Sequence, residues 1–117
     1  MITLYGIPNC GSVRKGLAWF KDHGIEVVFH NFRKEGLDPE TLDTWLKTVS
    51  PDTLLNRKGQ LWRKLTDDVR ESVSDNPAGM RTLMLEEPGL IKRPVVVFDD
   101  GTVTVGLAED VWSDKTA

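Results

Sequence analysis

The stretch Tyr5–Arg14 constrains the fold most, because it joins an apolar strand to an amphipathic helix through a short loop. Ile2–Tyr5 is predicted to form the strand, and the helix is expected to begin with Ser12 as its N-cap. Cys10, the single cysteine of the chain, falls where this helix should begin. First-turn N–H groups and the helix dipole stabilise a thiolate, so Cys10 could titrate below the ~8.5 of a free thiol. A lone cysteine is as often a small buried hydrophobe, and this loop alone favours neither interpretation.

Composition limits the classes of function open to the chain. Its 117 residues predict one domain, and a net charge of −3 gives no general attraction to nucleic acid or anionic membranes. No stretch approaches the ~18 apolar residues that span a bilayer, and no signal peptide is recognisable, so we expect a cytoplasmic protein. One cysteine cannot form an internal disulfide. His23, His30 and Cys10 lack a metal-ligand spacing, so we expect no metal.

The first third of the chain is predicted to form a parallel crossover. The helix should run from Ser12 to Asp22 and end at Gly24, a left-handed cap. Ile25–Phe32 follows as a strand with apolar residues on both faces, which suits a strand covered on both sides. A strand, helix and strand linked this closely form a right-handed crossover, which places Cys10 at the carboxyl end of the first strand, where α/β folds bind ligands.

The rest of the chain divides into a helical insertion and a closing ββα segment. Helical starts are expected after Asp38, at Thr53–Asn56, after Thr66 and after Asn76. Val95–Phe98 and Val103–Val105 should form an antiparallel hairpin around Asp100-Gly101, with a short last helix over Leu107–Trp112. The predicted fold class is α/β, a thioredoxin-like mixed four-stranded sheet. One domain is expected, with its core in residues 1–36 and 88–117 and the helical insertion in residues 37–87.

Several segments, in consistent order along nearly the whole chain, resemble the ArsC/Spx family of thioredoxin-fold proteins. Within that family the likeness is greatest to the YffB-like branch of small ArsC-like reductases. The segments that carry the resemblance are Gly6-Ile7-Pro8-Asn9-Cys10, Leu54-Leu55-Asn56-Arg57, Trp62-Arg63-Lys64-Leu65, Ile91-Lys92-Arg93-Pro94, and Val105-Gly106 with Glu109-Asp110.

The resemblance implies roles for three residues. Cys10 matches the redox cysteine of the family, Arg93 the arginine before its cis-proline, and Pro94 that cis-proline, which lies beside the cysteine. An arginine there could stabilise a thiolate and hold an oxyanion or carboxylate with its planar fork. Without the resemblance, Pro94 would be read as a proline at the first residue of a strand.

Departures from the family pattern weigh against arsenate reduction. Arsenate reductases of the family carry a histidine upstream of the cysteine and three arginines around the oxyanion. Here Gly6 stands at the histidine position, Asn56 with Arg57 beside it at the first arginine, and Gly106 at the last, so that only Arg93 is retained. Losing two charge-assisted contacts, at ~1.5 to 3 kcal/mol each, disfavours arsenate as a substrate. Spx-type regulators tend to carry a two-cysteine switch, which Val13 excludes here.

The leading functional hypothesis is a glutathione-dependent thiol–disulfide oxidoreductase. Cys10 would form a mixed disulfide that external glutathione resolves, with no bound cofactor, and the protein is expected to act as a monomer. Cys10 and Arg93 are the candidate catalytic residues; the candidate substrate-binding residues are Asn9, Ser12, Arg14, Asn56, Arg57 and Pro94. Asn9 and Ser12 are also ordinary turn and cap residues. The alternative is a non-catalytic Spx-like module that binds RNA polymerase or another protein, and arsenate reduction ranks third.

Overall fold

The computed structural model describes all of residues 1–117, which divide into two compact units, residues 1–36 with 93–117 and residues 37–92. The first unit contains a four-stranded sheet and three helices. Its elements are β1 (Ile2–Gly6), α1 (Gly11–Asp22), β2 (Val27–Asn31), α2 (Phe32–Glu35), β3 (Val95–Val97), β4 (Val103–Val105) and α8 (Glu109–Lys115).

The sheet has the strand order β2-β1-β3-β4 and the mixed directions predicted from the sequence. β1 pairs in parallel with β2, while β3 pairs antiparallel with both β1 and β4. Tyr5, near the end of β1, lies opposite His30 on one side and Val95 on the other. The predicted thioredoxin-like arrangement is therefore confirmed, and the carboxyl end of β1 lies at the centre of the sheet, where it leads into the Cys10 loop.

One face of the sheet packs against α1. The buried residues of this core are Leu4, Val13, Phe20, Val96, Phe98 and Trp112. α1 ends where the sequence predicted, with His23 as its C-cap and Gly24 in the left-handed region at φ 70°. The indole N–H of Trp112 donates to Thr104 Oγ1 over 2.8 Å, which satisfies the buried polar atoms that join α8 to β4.

The second strand and the last helix differ from their predicted bounds. Ile25–Phe32 was expected to be strand throughout, but β2 ends at Asn31 and Phe32 begins the short helix α2. Asn31 caps α2, since its side chain accepts from the Arg33 N–H. β2 is an edge strand and Val28 is 48% exposed, so the expectation of cover on both faces is wrong at this position. The last helix begins at Glu109 rather than Leu107 and continues to Lys115.

The second unit is helical, as expected for the insertion. Its helices are α3 (Pro39–Leu46), α4 (Pro51–Leu54), α5 (Gln60–Lys64), α6 (Asp67–Val73) and α7 (Pro77–Glu86), followed by a 3₁₀ turn at Pro88–Leu90. α7 packs against α3, α4, α6 and the 3₁₀ turn. Met80 and Met84 of α7 are buried, as their helical spacing predicted.

The helical unit ends at Lys92 and not at the predicted residue 87, because backbone pairing binds its last residues to the segment after α4. Leu55 and Ile91 form an isolated antiparallel bridge. The Asn56 N–H donates to the Leu90 carbonyl and the Lys92 N–H donates to the Leu54 carbonyl, both over 2.8 Å. Arg93 is therefore the first residue of the returning chain in the sheet unit.

Candidate functional site

Cys10 is itself the N-cap residue of α1, so the expectation that Ser12 caps the helix is wrong. Its backbone is extended, with φ −103° and ψ 126°, and its carbonyl accepts the first helical hydrogen bond from the Arg14 N–H over 3.0 Å. The Cys10 side chain makes no capping hydrogen bond of normal geometry. Because the helix begins at Gly11, the N–H groups of Ser12 and Val13 nevertheless belong to its first turn, where they favour the charged sulfur and lower the pKa of Cys10.

The surroundings of the half-buried Cys10 lower the pKa of its thiol below the ordinary value. Burial is the largest single influence and raises the pKa, because it disfavours the charged form. Hydrogen bonding from the Val13 N–H, the Arg93 side chain and the Ser12 N–H outweighs it, together with the positive charge of Arg93. Cys10 consequently ionises at lower pH than an ordinary cysteine, and the thiolate is the nucleophilic form.

Arg93 and Pro94 approach Cys10 from the start of β3. The Arg93–Pro94 peptide bond is cis, as the family resemblance implied. Pro94 is buried, and its carbonyl accepts a hydrogen bond from the Gly106 N–H over 2.9 Å. Arg93 is half-buried, and its guanidinium is the cationic side chain that acts on the Cys10 sulfur. The structure thus brings together Cys10 and Arg93, which lie far apart in the sequence.

Three further candidates lie in the Cys10 loop and the first turns of α1. Asn9 is exposed in the turn before the cysteine, and Ser12 and Arg14 are exposed on the helix. The backbone N–H of Ser12 helps to lower the pKa of Cys10. That the side chains of Asn9, Ser12 and Arg14 contact a ligand stays a prediction.

Asn56 and Arg57 lie in the helical unit, where both make local interactions. The Asn56 Oδ1 accepts from the Lys58 N–H over 3.1 Å, as expected of a turn residue. Arg57 forms an ion pair with Asp52 at 2.7 Å, and its guanidinium lies 5.6 Å from the ring centroid of Trp62. Their proposed part in ligand binding stays a prediction.

Sequence reasoning missed the role of Gly6 in the position of the site. A Cβ atom on Gly6 would overlap Val13 Cγ2 and would lie 3.2 Å from Val13 Cγ1. The absence of a side chain at Gly6 therefore lets Val13, which acts on Cys10 through its N–H, pack directly on the end of β1. The signal was available in the strand itself, because Gly6 follows Leu4 at the period-2 spacing of core-facing residues.

Each histidine ring lies within hydrogen-bonding distance of a backbone carbonyl oxygen. His23 Nδ1 lies 2.7 Å from the Trp19 carbonyl oxygen, and His30 Nε2 lies 2.8 Å from that of Gly36. The structure contains no group of three or more His, Cys, Asp or Glu side chains placed to hold a metal ion. None of its helices has the length and apolar character needed to cross a membrane.

Comparisons with known proteins cover nearly the whole chain. The model of the ArsC family matches residues 5–114. The structure is similar to that of a YffB protein, with a TM-score of 0.92, 32% identity and complete coverage of both chains. An arsenate reductase (ArsC) related protein from Brucella melitensis is 46% identical, with a TM-score of 0.75 over 98% of this chain and 93% of its own. The global transcriptional regulator Spx of Bacillus subtilis (strain 168) is 30% identical over 94% of this chain and 82% of its own.

Proposed function

This chain belongs to the ArsC family, and we propose that within it the protein is a glutathione-dependent thiol–disulfide oxidoreductase with Cys10 as its nucleophile. The observation that carries the proposal is the place of Cys10 at the start of α1 with the Arg93 side chain beside it, a setting that lowers the pKa of the thiol. A redox role needs a thiol that ionises more readily than a free thiol and that is partly accessible, and the lowered pKa and half-burial of Cys10 support both requirements.

The proposed reaction proceeds by two thiol–disulfide exchanges. The Cys10 thiolate attacks one sulfur of a disulfide that contains glutathione; the substrate S–S bond breaks, a Cys10–glutathione disulfide forms, and the other sulfur leaves as a thiolate that takes a proton from water. A second glutathione, as thiolate, attacks the glutathione sulfur of this adduct. That step releases glutathione disulfide and restores the Cys10 thiolate. Each exchange breaks one S–S bond and forms one, so the net reaction converts the glutathione-containing disulfide and one external glutathione thiol into the substrate thiol and glutathione disulfide.

Arg93 is the candidate for a second task in this reaction, the binding of a glutathione carboxylate. Its guanidinium is permanently charged and matches the two oxygens of a carboxylate. The candidate supporting contacts within the sheet unit are Asn9, Ser12, Arg14 and Pro94. No resident cofactor is required, and a monomer in the cytoplasm, where glutathione keeps thiols reduced, is the proposed setting.

Incubation of the reduced protein with glutathione disulfide is expected to place one glutathione on Cys10. The lowered pKa of the thiol raises the fraction of attacking thiolate at a given pH. Intact-protein mass spectrometry would detect the adduct, and addition of reduced glutathione should remove it. Cys10→Ser is the control that should remain unmodified. A wild-type thiol that stays unmodified, or an adduct that reduced glutathione does not release, would contradict the proposed function.

A regulatory module that binds RNA polymerase or another protein without catalysis is the second candidate. The observation in its favour is the 30% identity to Spx of Bacillus subtilis, a global transcriptional regulator, over 94% of this chain. The two candidates differ in their need for the thiol. Stable binding to purified bacterial RNA polymerase that Cys10→Ser leaves unchanged, together with no glutathione adduct in the wild type, would favour the regulatory module.

A further inference from the structure

Gly16, in the second turn of α1, is buried between three side chains of the sheet unit. A Cβ atom on Gly16 would lie 3.2 Å from Pro94 Cγ, 3.3 Å from Leu4 Cδ1 and 3.5 Å from Trp112 Cη2. The two shortest of these distances are tighter than side chains normally allow. Glycine costs about 1 kcal/mol relative to alanine inside a helix, so this position needs a reason in packing.

The contact with Pro94 gives Gly16 a connection to the reactive thiol. The Pro94 ring lies against α1 at Gly16. On another side, the Pro94 carbonyl accepts a hydrogen bond from the Gly106 N–H. Arg93 is covalently joined to Pro94, so a displacement of Pro94 would carry the start of the Arg93 side chain with it. The contact of Pro94 with α1 at Gly16 therefore links the position of the helix to that of the Arg93 side chain.

The helix α1 also holds Cys10, the other partner of the Arg93–Cys10 contact. Cys10 is the N-cap of α1, and the N–H groups of Ser12 and Val13 act on its sulfur. A change in the distance between α1 and Pro94 would thus move the cysteine and Arg93 relative to one another. Gly16 lies six residues after Cys10 on the element that sets this distance.

We propose that Gly16 is a positioning residue for Cys10: the absence of a side chain lets α1 rest directly on Pro94 and so holds Arg93 beside the sulfur. This inference rests on the proposed role of Cys10 as the nucleophile. It assigns Gly16 no contact with a substrate.

Gly16→Ala is the variant that tests this role with the smallest disturbance. Leu4 and Pro94 must give way by a few tenths of an ångström, while the better helix propensity of alanine offsets part of the strain. We expect the alkylation of Cys10 by iodoacetamide at pH 7 to slow about two- to fivefold, with its pH profile displaced to higher pH. Gly11→Ala is the matched control, because a Cβ atom at this exposed position in the same helix would meet no neighbour within 4 Å.

A double-variant comparison separates positioning from general loosening of the core. If Gly16 acts through Arg93, Gly16→Ala should slow alkylation in the wild-type background and have no further effect in Arg93→Ala. An equal effect in both backgrounds, or no effect in either, would overturn the proposal. Should Gly16→Ala not fold, Leu4→Val combined with it removes the 3.3 Å contact and leaves the Pro94 contact to be tested in the same way.

The measurement also separates this inference from the proposed function. Alkylation needs neither glutathione nor turnover, so an absent glutathione adduct with an intact Gly16 effect would overturn the oxidoreductase proposal alone. A normal adduct with no Gly16 effect would overturn the positioning role alone.

Discussion

Arg93→Ala is expected to raise the pKa of Cys10 and to slow its alkylation at pH 7 about three- to tenfold. Arg93 lowers the pKa in two ways, by hydrogen bonding to the sulfur and by its positive charge. Removal of both leaves only the N–H groups of Val13 and Ser12 to oppose the effect of burial. Water around the half-exposed sulfur screens the charge, so we expect a smaller change than for a fully buried ion pair.

The pH profile of iodoacetamide alkylation gives the sign of this effect directly. The rate rises with pH as the thiol ionises, so a raised pKa displaces the whole profile to higher pH. Arg93→Lys should lie between the wild type and Arg93→Ala, because it retains the charge without the planar fork. Lys21→Ala, which removes an exposed cation from the last turn of the same helix, should leave the profile in place. Superposition of the Arg93→Ala and wild-type profiles would show that Arg93 does not prepare the thiolate.

The position of the thiol at the start of α1 could be predicted from the sequence, whereas the residue that forms the N-cap of this helix could not. An apolar strand, a glycine- and proline-containing loop and an amphipathic stripe were enough to place Cys10 at the start of α1. The preference of serine for N-caps pointed to Ser12, but helical geometry begins at Gly11 and makes Cys10 the cap. That difference of two residues matters chemically, because it is what directs the N–H groups of Ser12 and Val13 to the sulfur.

Arg93 required more than local pattern. Its side chain meets Cys10 only because β3 pairs with β1 at Tyr5 and Val95, a long-range pairing that no local periodicity specifies. The resemblance to the ArsC/Spx family supplied the juxtaposition, and the structure confirms it. Hydrophobic spacing predicted the structure correctly where one helix buries one face, as for the methionines of α7. It failed where a buried residue fits a strand and a helix equally well.

Phe32 is the clearest example of such a failure. Phe32 is only 4% exposed although it begins a helix. Its burial fits the hydrophobic alternation of the preceding strand, so the alternation extended the predicted strand one residue too far. The polar residues around it held the missing information. The Asn31 side chain accepts from the Arg33 N–H, and Glu35 accepts from the Asn31 N–H over 3.0 Å, a reciprocal capping pattern that marks the start of a helix.

Gly6→Ala is expected to destabilise the protein by about 1 to 3 kcal/mol, because the new Cβ atom would overlap Val13. Both residues lie in the buried region where α1 packs on β1, and the short valine side chain has little freedom to move away. Urea unfolding monitored by circular dichroism would measure the loss. Gly6→His should cost more, since the imidazole would extend the same overlap.

Val13→Ala provides the matched test of this cause. Alone, Val13→Ala should destabilise the protein through the cavity it leaves. Combined with Gly6→Ala, it removes the overlapping methyl groups. The double variant should therefore lose less free energy of unfolding than the sum of the two single losses. Strict additivity would show that Val13 is not what excludes a side chain at residue 6. If the coupling is found, the histidine that the family resemblance associates with arsenate reduction at this position is incompatible with the packing that brings the Val13 N–H to Cys10. Arsenate chemistry in this chain would then require repacking of the first turn of α1 as well as new arginines.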